Sequence, residues 1–273
     1  MKPLLLYFLL LSLLGFSQNK YPEKYVQNPL DIPLVLSGTF GELRSNHFHS
    51  GLDIKTQGKT GLKVFVVADG YVSRIKVQQY GYGKAIYVTH PNGYTSVYGH
   101  LNKFNDQIET YIKAIQYKKE NYETGNIFPR KDAFVLKKGE LIAFSGDTGG
   151  SSGPHLHFEI RNTATEKVVN PMLLGIQIPD SKLPIIRSLQ AYPLRSDARI
   201  NQQHNNHEIS LKKIEDGKYV ADRISASGTI GFGIDVFDRL DNAWNKNGIY
   251  SLEVLVNGKR QYYHEVATFS FAE

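Results

Sequence analysis

From Leu34 onward the apolar residues fall in short runs rather than at helical spacing. VFVVADGYVSRIKV, KAIYVTH and YTSVYGHL are rich in Val, Ile and Tyr and are bounded by Gly, Pro or Asn, the pattern of strands separated by tight turns. His90 to Tyr94 reads as a hairpin turn, which puts His100 near the end of a strand. VLKKGELIAFSGDTG adds two short strands around Lys138-Gly139 and a glycine-rich loop before HLHFEI. In that last run the side chains alternate with a period of two, so His155 and His157 share a face. An all-β core with few helices is expected.

Two stretches depart from this pattern. NDQIETYIKAIQYKKENYE sets Ile108, Tyr111, Ile112 and Ile115 at helical spacing with charges elsewhere, which predicts a surface helix over about 105–123. Its plain role is packing; its position just after His100 also allows it to wall a substrate groove. IQIPDSKLP then breaks the alternation and marks a domain boundary. Beyond it, strand-like runs recur at regular intervals and Asn257-Gly258 signals a hairpin. Residues 185–273 are therefore expected to form a β-sandwich resembling an immunoglobulin-like domain. It would bind a glycan or a protein, or brace the domain before it. Trp244, the only tryptophan, is expected to anchor its core. ATFSFAE stops within a strand-like run and suggests that the natural protein continues.

The candidate chemistry lies in five scattered residues: His49 and Asp53 in HSGLD, His100 in YGHL, and His155 and His157 in PHLHFE. A catalytic zinc site uses three nitrogen or carboxylate ligands and leaves a fourth position for water. In a straight strand the Cα atoms of His49 and Asp53 would stand about 13 Å apart, too far to share one ion. A bend at Ser50 and Gly51, where glycine makes a turn cheap, is expected to bring them together. Other site types are not indicated. The chain has no HExxH helix, GDTGGSSGPH lacks the Gly-Lys-Ser/Thr ending of a phosphate loop, and Ser151 and Ser152 have no G-x-S-x-G elbow around them. His90, His204, His207 and His264 read as structural or solvent-exposed. His47, two residues before His49, is expected to support the site from behind its ligands.

HxxxD, the isolated YGHL and HLHFE together resemble the lysostaphin and LytM type of zinc metallopeptidase, which cuts peptide bonds in peptidoglycan. The resemblance covers roughly residues 34–175 and implies a compact antiparallel β-sheet domain over 34–178 with its site in a groove. It implies that His49, Asp53 and His157 hold zinc, while His100 and His155 act on the attacking water and the tetrahedral intermediate; which of the two is the base stays open. ADGYV and KKGELIAFSG also resemble hairpins of biotinyl and lipoyl carriers, but the Met-Lys context of a modified lysine is missing. A non-catalytic regulator of a wall amidase on the same fold is the main alternative. Such a protein would be expected to have lost ligands, and all three are kept. A peptidase of other proteins would share the site and differ in the cleft.

The ends and the composition add location rather than chemistry. MKPLLLYFLLLSLLGFSQ has a basic residue, an apolar run and small residues before a cleavage point, which predicts a signal peptide over 1–17 and a linker over 18–33. The apolar run is shorter than the roughly 20 residues of a membrane span. Export to the periplasm or cell envelope, or beyond it, is expected. The absence of cysteine excludes a lipoprotein anchor and disulfides, so stability must come from packing. Without Lys2, 31 basic residues face 26 acidic ones for a net charge of +5, enough for attraction to an anionic wall. The basic residues are dispersed, and no nucleic-acid module is present.

Overall fold

Runs bounded by turn residues become antiparallel strands throughout the computed structural model, which describes residues 21–272. The expected signal peptide lies outside the described residues. Twelve strands and one helix form the first part: β1 (Leu36–Gly38), β2 (Leu52–Lys55), β3 (Lys63–Phe65), β4 (Gly70–Val77), β5 (Lys84–Thr89), β6 (Tyr94–Gly99), β7 (Lys103–Phe104), α1 (Asp106–Lys119), β8 (Gly125–Ile127), β9 (Val135–Leu136), β10 (Leu141–Phe144), β11 (His155–Asn162) and β12 (Val168–Val169). The main sheet runs β1-β2-β11-β6-β5-β4-β8, and a smaller sheet, β3-β10-β7, shares its apolar cluster. Strand β11 lies inside the main sheet between β2 and β6. Its Leu156, Phe158 and Ile160 are fully buried in the common core. By the period of two, His155, His157, Glu159 and Arg161 occupy its other face.

Helix α1 begins where Asn105 accepts a hydrogen bond from the Ile108 amide through its side chain, and it ends at Glu120 in the left-handed conformation. Acidic Asp106 and Glu109 sit in its first turn and Lys118 and Lys119 in its last, matching the helix dipole. Ile108 and Ile112 are its buried residues, and the helix packs beside β7. No residue of α1 lines the cleft described below, so packing is its visible role and the expected groove wall is not formed.

The remaining strands are β13 (Ile185–Pro193), β14 (Arg199–Ile200), β15 (His207–Ile209), β16 (Leu211–Glu215), β17 (Lys218–Ala221), β18 (Ala226–Ser227), β19 (Ile230–Phe237), β20 (Ser251–Val256), β21 (Lys259–Glu265) and β22 (Thr268–Phe269). They form a three-stranded sheet, β15-β13-β19, and separate pairs, β14-β18, β16-β17 and β20-β21. The expected immunoglobulin-like sandwich is not confirmed by these small sheets. The local apolar cluster is small, built on Ala191, Ile200 and Ile209, while Phe232, Leu255 and Val220 stay exposed. Trp244 is 89% exposed rather than a core anchor. Strand β22 leaves this region altogether and pairs with β12 at the margin of the main sheet.

Candidate metal centre

Strand register brings the candidate residues together. On adjacent strands His157 of β11 lies opposite Asp53 of β2 and Gly99 of β6. The chain bends at Gly51, just before β2, and a Cβ there would stand 2.3 Å from the Phe158 carbonyl oxygen. Close approach to β11 is thus what demands glycine, since the backbone of Gly51 is outside the positive-φ region. His49, on the near side of the bend, brings Nε2 to 3.0 Å from Asp53 Oδ1 and 3.2 Å from His157 Nδ1. His157 Nδ1 and Asp53 Oδ1 are 2.9 Å apart. Zinc at about 2.0–2.1 Å from tetrahedral ligands sets them roughly 3.3 Å apart, so this triangle fits the ion closely.

Hydrogen bonds on the outer atoms aim the donors inward. His49 Nδ1 donates to the Thr39 carbonyl at 2.8 Å, which leaves Nε2 with its lone pair facing Asp53. His157 Nε2 lies 2.8 Å from Glu159 Oε1, which leaves Nδ1 to the cluster. Asp53 Oδ2 is held by the Arg44 guanidinium at 2.9 Å. Such outer partners fix tautomer and ring orientation at metal sites. Burial alone would raise the Asp53 carboxyl, but the surrounding histidines, His155 and His157 foremost, outweigh it and hold the group far below the usual range. Burial opposes a charge on His157, yet its bonds to Asp53 and Glu159 push it up to about 9.

His155 and His100 stand beside this triangle, with their ring centroids 4.7 Å apart. His155 Nε2 is 3.5 Å from Asp53 Oδ1, and its Nδ1 donates to the Gly153 carbonyl at 2.8 Å. His100 Nδ1 donates to the Thr148 carbonyl at 2.7 Å. A carbonyl oxygen can only accept, so each ring turns an Nε2 free of that bond toward the cluster. His100 follows β6 in the left-handed region, at φ 57, a conformation that a side chain adopts at some cost. Burial lowers its pKa to about 4. His155 is displaced upward, because its bonds to Asp53 and to the Gly153 carbonyl overcome the burial penalty. The glycine-rich loop supplies both carbonyls, and its Gly150, Ser152, Gly153 and Pro154 line one side of a cleft of about 1130 Å³ over the cluster.

Glu159, Tyr82, Arg161 and Arg44 also belong to the site though the sequence did not single them out, as does Ser50, which was read only as part of the bend. Fully buried Glu159 accepts from Ser50 Oγ at 2.6 Å and Tyr82 Oη at 2.5 Å on one oxygen, and from Arg161 Nε at 2.7 Å on the other. The period that pairs His155 with His157 extends to Glu159 and Arg161 and could have found them; nothing local marks Tyr82 or Arg44. His47 is exposed and lines the cleft; its ring bonds to Asn46, and its carbonyl accepts from the amide of Arg44, the residue that holds Asp53. His90 is buried between the Asp69 carbonyl and Ser96 Oγ, away from the cluster. Among the described residues His49, Asp53 and His157 form the one group able to hold a metal ion, and His204, His207 and His264 are outside it.

Residues 47–117 and 130–171 match the model of peptidase family M23. A protein of Haemophilus influenzae named an uncharacterized metalloprotease is 34% identical over 128 residues, 47% of this chain and 21% of that protein. The DD-carboxypeptidase/endopeptidase Mpg of Neisseria meningitidis is 31% identical over 156 residues, 54% of this chain and 29% of that protein. The chain thus spans less than a third of the length of these curated relatives. Among solved structures, the catalytic domain of lysostaphin from Staphylococcus simulans aligns with a TM-score of 0.37 and 24% identity, covering 51% of this chain and 90% of that one.

Proposed function

We propose that this chain, whose residues 47–117 and 130–171 match peptidase family M23, is a zinc metalloendopeptidase hydrolysing peptide bonds in peptidoglycan stems or cross-bridges. The observation that carries the reading is the pair of histidines, His100 and His155, whose Nδ1 atoms are both tied to backbone carbonyls beside a buried His-Asp-His donor set. His49 Nε2, Asp53 Oδ1 and His157 Nδ1 would hold the ion. When bound, zinc lowers the pKa of its water toward about 7 and polarises the scissile carbonyl.

This chain's own residues then handle protons and position. His100, kept neutral by burial, accepts the proton of the attacking water at Nε2. His155, its Nδ1 likewise tied to a backbone carbonyl, would offer a proton from Nε2 to the developing oxyanion or the leaving amine. A positioned acid or base of this kind contributes about a hundredfold to ten-thousandfold. Glu159 keeps the His157 ring from turning, and Arg44 keeps the Asp53 carboxylate from rotating away. The peptidoglycan substrate is supported by relatives named as DD-endopeptidases. Export to the cell envelope rests on the N-terminal sequence alone. The regulator reading is weaker, because a non-catalytic protein has no need of three donors with their outer atoms tied.

The test is to incubate the zinc-loaded protein with purified sacculi and, separately, with an unstructured protein, and to measure released amines. Cleavage of sacculi that stops on chelation is expected. Cleavage of the unstructured protein alone would remove the cell-wall substrate, and no cleavage of either would favour the regulator.

A further inference from the structure

Three phenylalanines from opposite ends of the chain line the cleft over the candidate metal centre. Phe48 immediately precedes the ligand His49, whereas Phe269 and Phe271 arrive on and just after β22; all three line the cleft. Strand β22 is seated by main-chain pairing, with Phe269 opposite Val168 and Thr268 opposite Val169. It is secured by a hydrogen bond from Thr268 Oγ1 to the Val168 carbonyl at 2.7 Å and from the Asn170 amide to the Ala267 carbonyl at 2.9 Å. Strand β12 pairs in turn with Ile160 and Arg161 of β11, so the segment is built onto the strand that carries His155 and His157.

Its aromatic rings are ordered from buried to open. Phe40 is buried, and its ring lies 5.0 Å from that of Phe269, which lies 5.9 Å from that of Phe48. Arg161 covers the Phe271 ring at 4.7 Å. Phe48 and Phe271 nevertheless remain 46% and 55% exposed. Exposed aromatic surface inside a cleft marks a binding surface more often than a packing fault. The lining also includes Gly150, Ser152, Gly153 and Pro154, which carry no aromatic side chain.

We propose that Phe48 and Phe271 are specificity-determining residues: an aromatic platform that binds the aliphatic side chains of a short peptide beside the scissile bond. The last segment of the expected accessory domain, residues 185–273, thereby supplies part of the substrate site. The proposal rests on the endopeptidase reading, yet its residues hold no metal and move no proton. They bind ground and transition states alike, so their loss raises KM and leaves kcat in place.

The experiment compares full-chain wild type with Phe48→Ala, Phe271→Ala and Phe271→Tyr, each zinc-loaded, on a cross-linked muropeptide and on an unstructured polypeptide rich in aliphatic residues. Zinc content and Tm are measured alongside. Each alanine variant is expected to raise KM about tenfold with kcat within about twofold and zinc content unchanged, and Phe271→Tyr to restore KM. Unchanged KM in both alanine variants overturns the platform. A wild type that cleaves only the polypeptide overturns the cell-wall substrate, and the KM ratios on that polypeptide still decide for or against the platform. A wild type that cleaves neither overturns both.

Discussion

Strands β11 and β19 each have eight residues, and their burial runs against their composition. HLHFEIRN has two histidines, a glutamate and an arginine, yet all its residues but the first and last are buried; IGFGIDVF is mostly apolar, yet none of it is fully buried. The difference lies in what surrounds them. β11 has β2 and β6 on its two edges and a shared core against one face, whereas β19 pairs with β13 alone and has only Ile230 packed against the small C-terminal cluster. Burial is therefore set by tertiary partners, and hydrophobic pattern alone does not report it. Because β11 is enclosed, its polar face is desolvated, and His157 and Glu159 interact there more strongly than they would in water.

The sharpest contrast is chemical. Asp53→Ala removes the residue on which three histidines converge, and activity is expected to fall about a thousandfold or more, as the several kcal/mol supplied by a bound metal disappear. Asp235→Ala, in the ion pair of Asp235 with Arg187 in the C-terminal sheet, should leave activity unchanged, and this half-exposed pair contributes little to stability. Zinc content and turnover of the two variants decide it. Equal losses would mean that Asp53 acts through general stability rather than at the site.

The two strands also differ in what a lost ring should cost. Phe158→Ala empties a fully buried position in the core and should cost about 3–5 kcal/mol in urea unfolding. Phe232→Ala, at a position 60% exposed on β19, should change stability by about 0.5 kcal/mol or less. A large loss at Phe232 would show that another surface covers β19 in solution.

Within β11, Glu159→Gln probes the enclosed polar face. The amide can still accept from His157 but also brings an NH2 group among the Ser50, Tyr82 and Arg161 donors. Zinc affinity should fall about tenfold to a hundredfold, read by competition with a chelator. Tyr82→Phe, which keeps the carboxylate, should lose less. Unchanged affinity in Glu159→Gln would remove its positioning role.

How far the sequence could be read follows the same division. Strands bounded by Gly, Pro and Asn were visible from Leu34 to Asn162, as was the helix, because each is set by local period and capping. The His-Asp-His donor set and its two neighbouring histidines stood out through short motifs, and the strand period placed His155 and His157 on one face. The partners that aim them did not stand out: Arg44, Tyr82 and Thr39 come from loops whose approach is fixed only by strand register. The return of β22 to β12 was also hidden, since the Thr268–Val168 bond joins residues 100 apart. Regular strand spacing in the C-terminal region predicts strands but not that two sheets will face each other, and the expected sandwich is not confirmed.

The smallest expected effect tests the enclosed region through pH. His90 sits between the Asp69 carbonyl and Ser96 Oγ, and burial lowers its pKa although the backbone carbonyls of Asp69 and Ala68 pull the other way. The unfolded chain, with a histidine pKa near about 6.5, therefore binds the proton more readily than the folded one. The stability held by neutral His90 is complete above that value and is lost as pH falls through the lower folded pKa, with a slope of at most about 1.4 kcal/mol per pH unit. Urea unfolding of wild type and His90→Gln at pH 7.5 and pH 5.5 (values set by about one unit on either side of the unfolded pKa) should show a shallower loss in the variant. Other histidines titrate in both proteins, so only the difference between them belongs to His90, and identical slopes would mean that its burial does not oppose its charge.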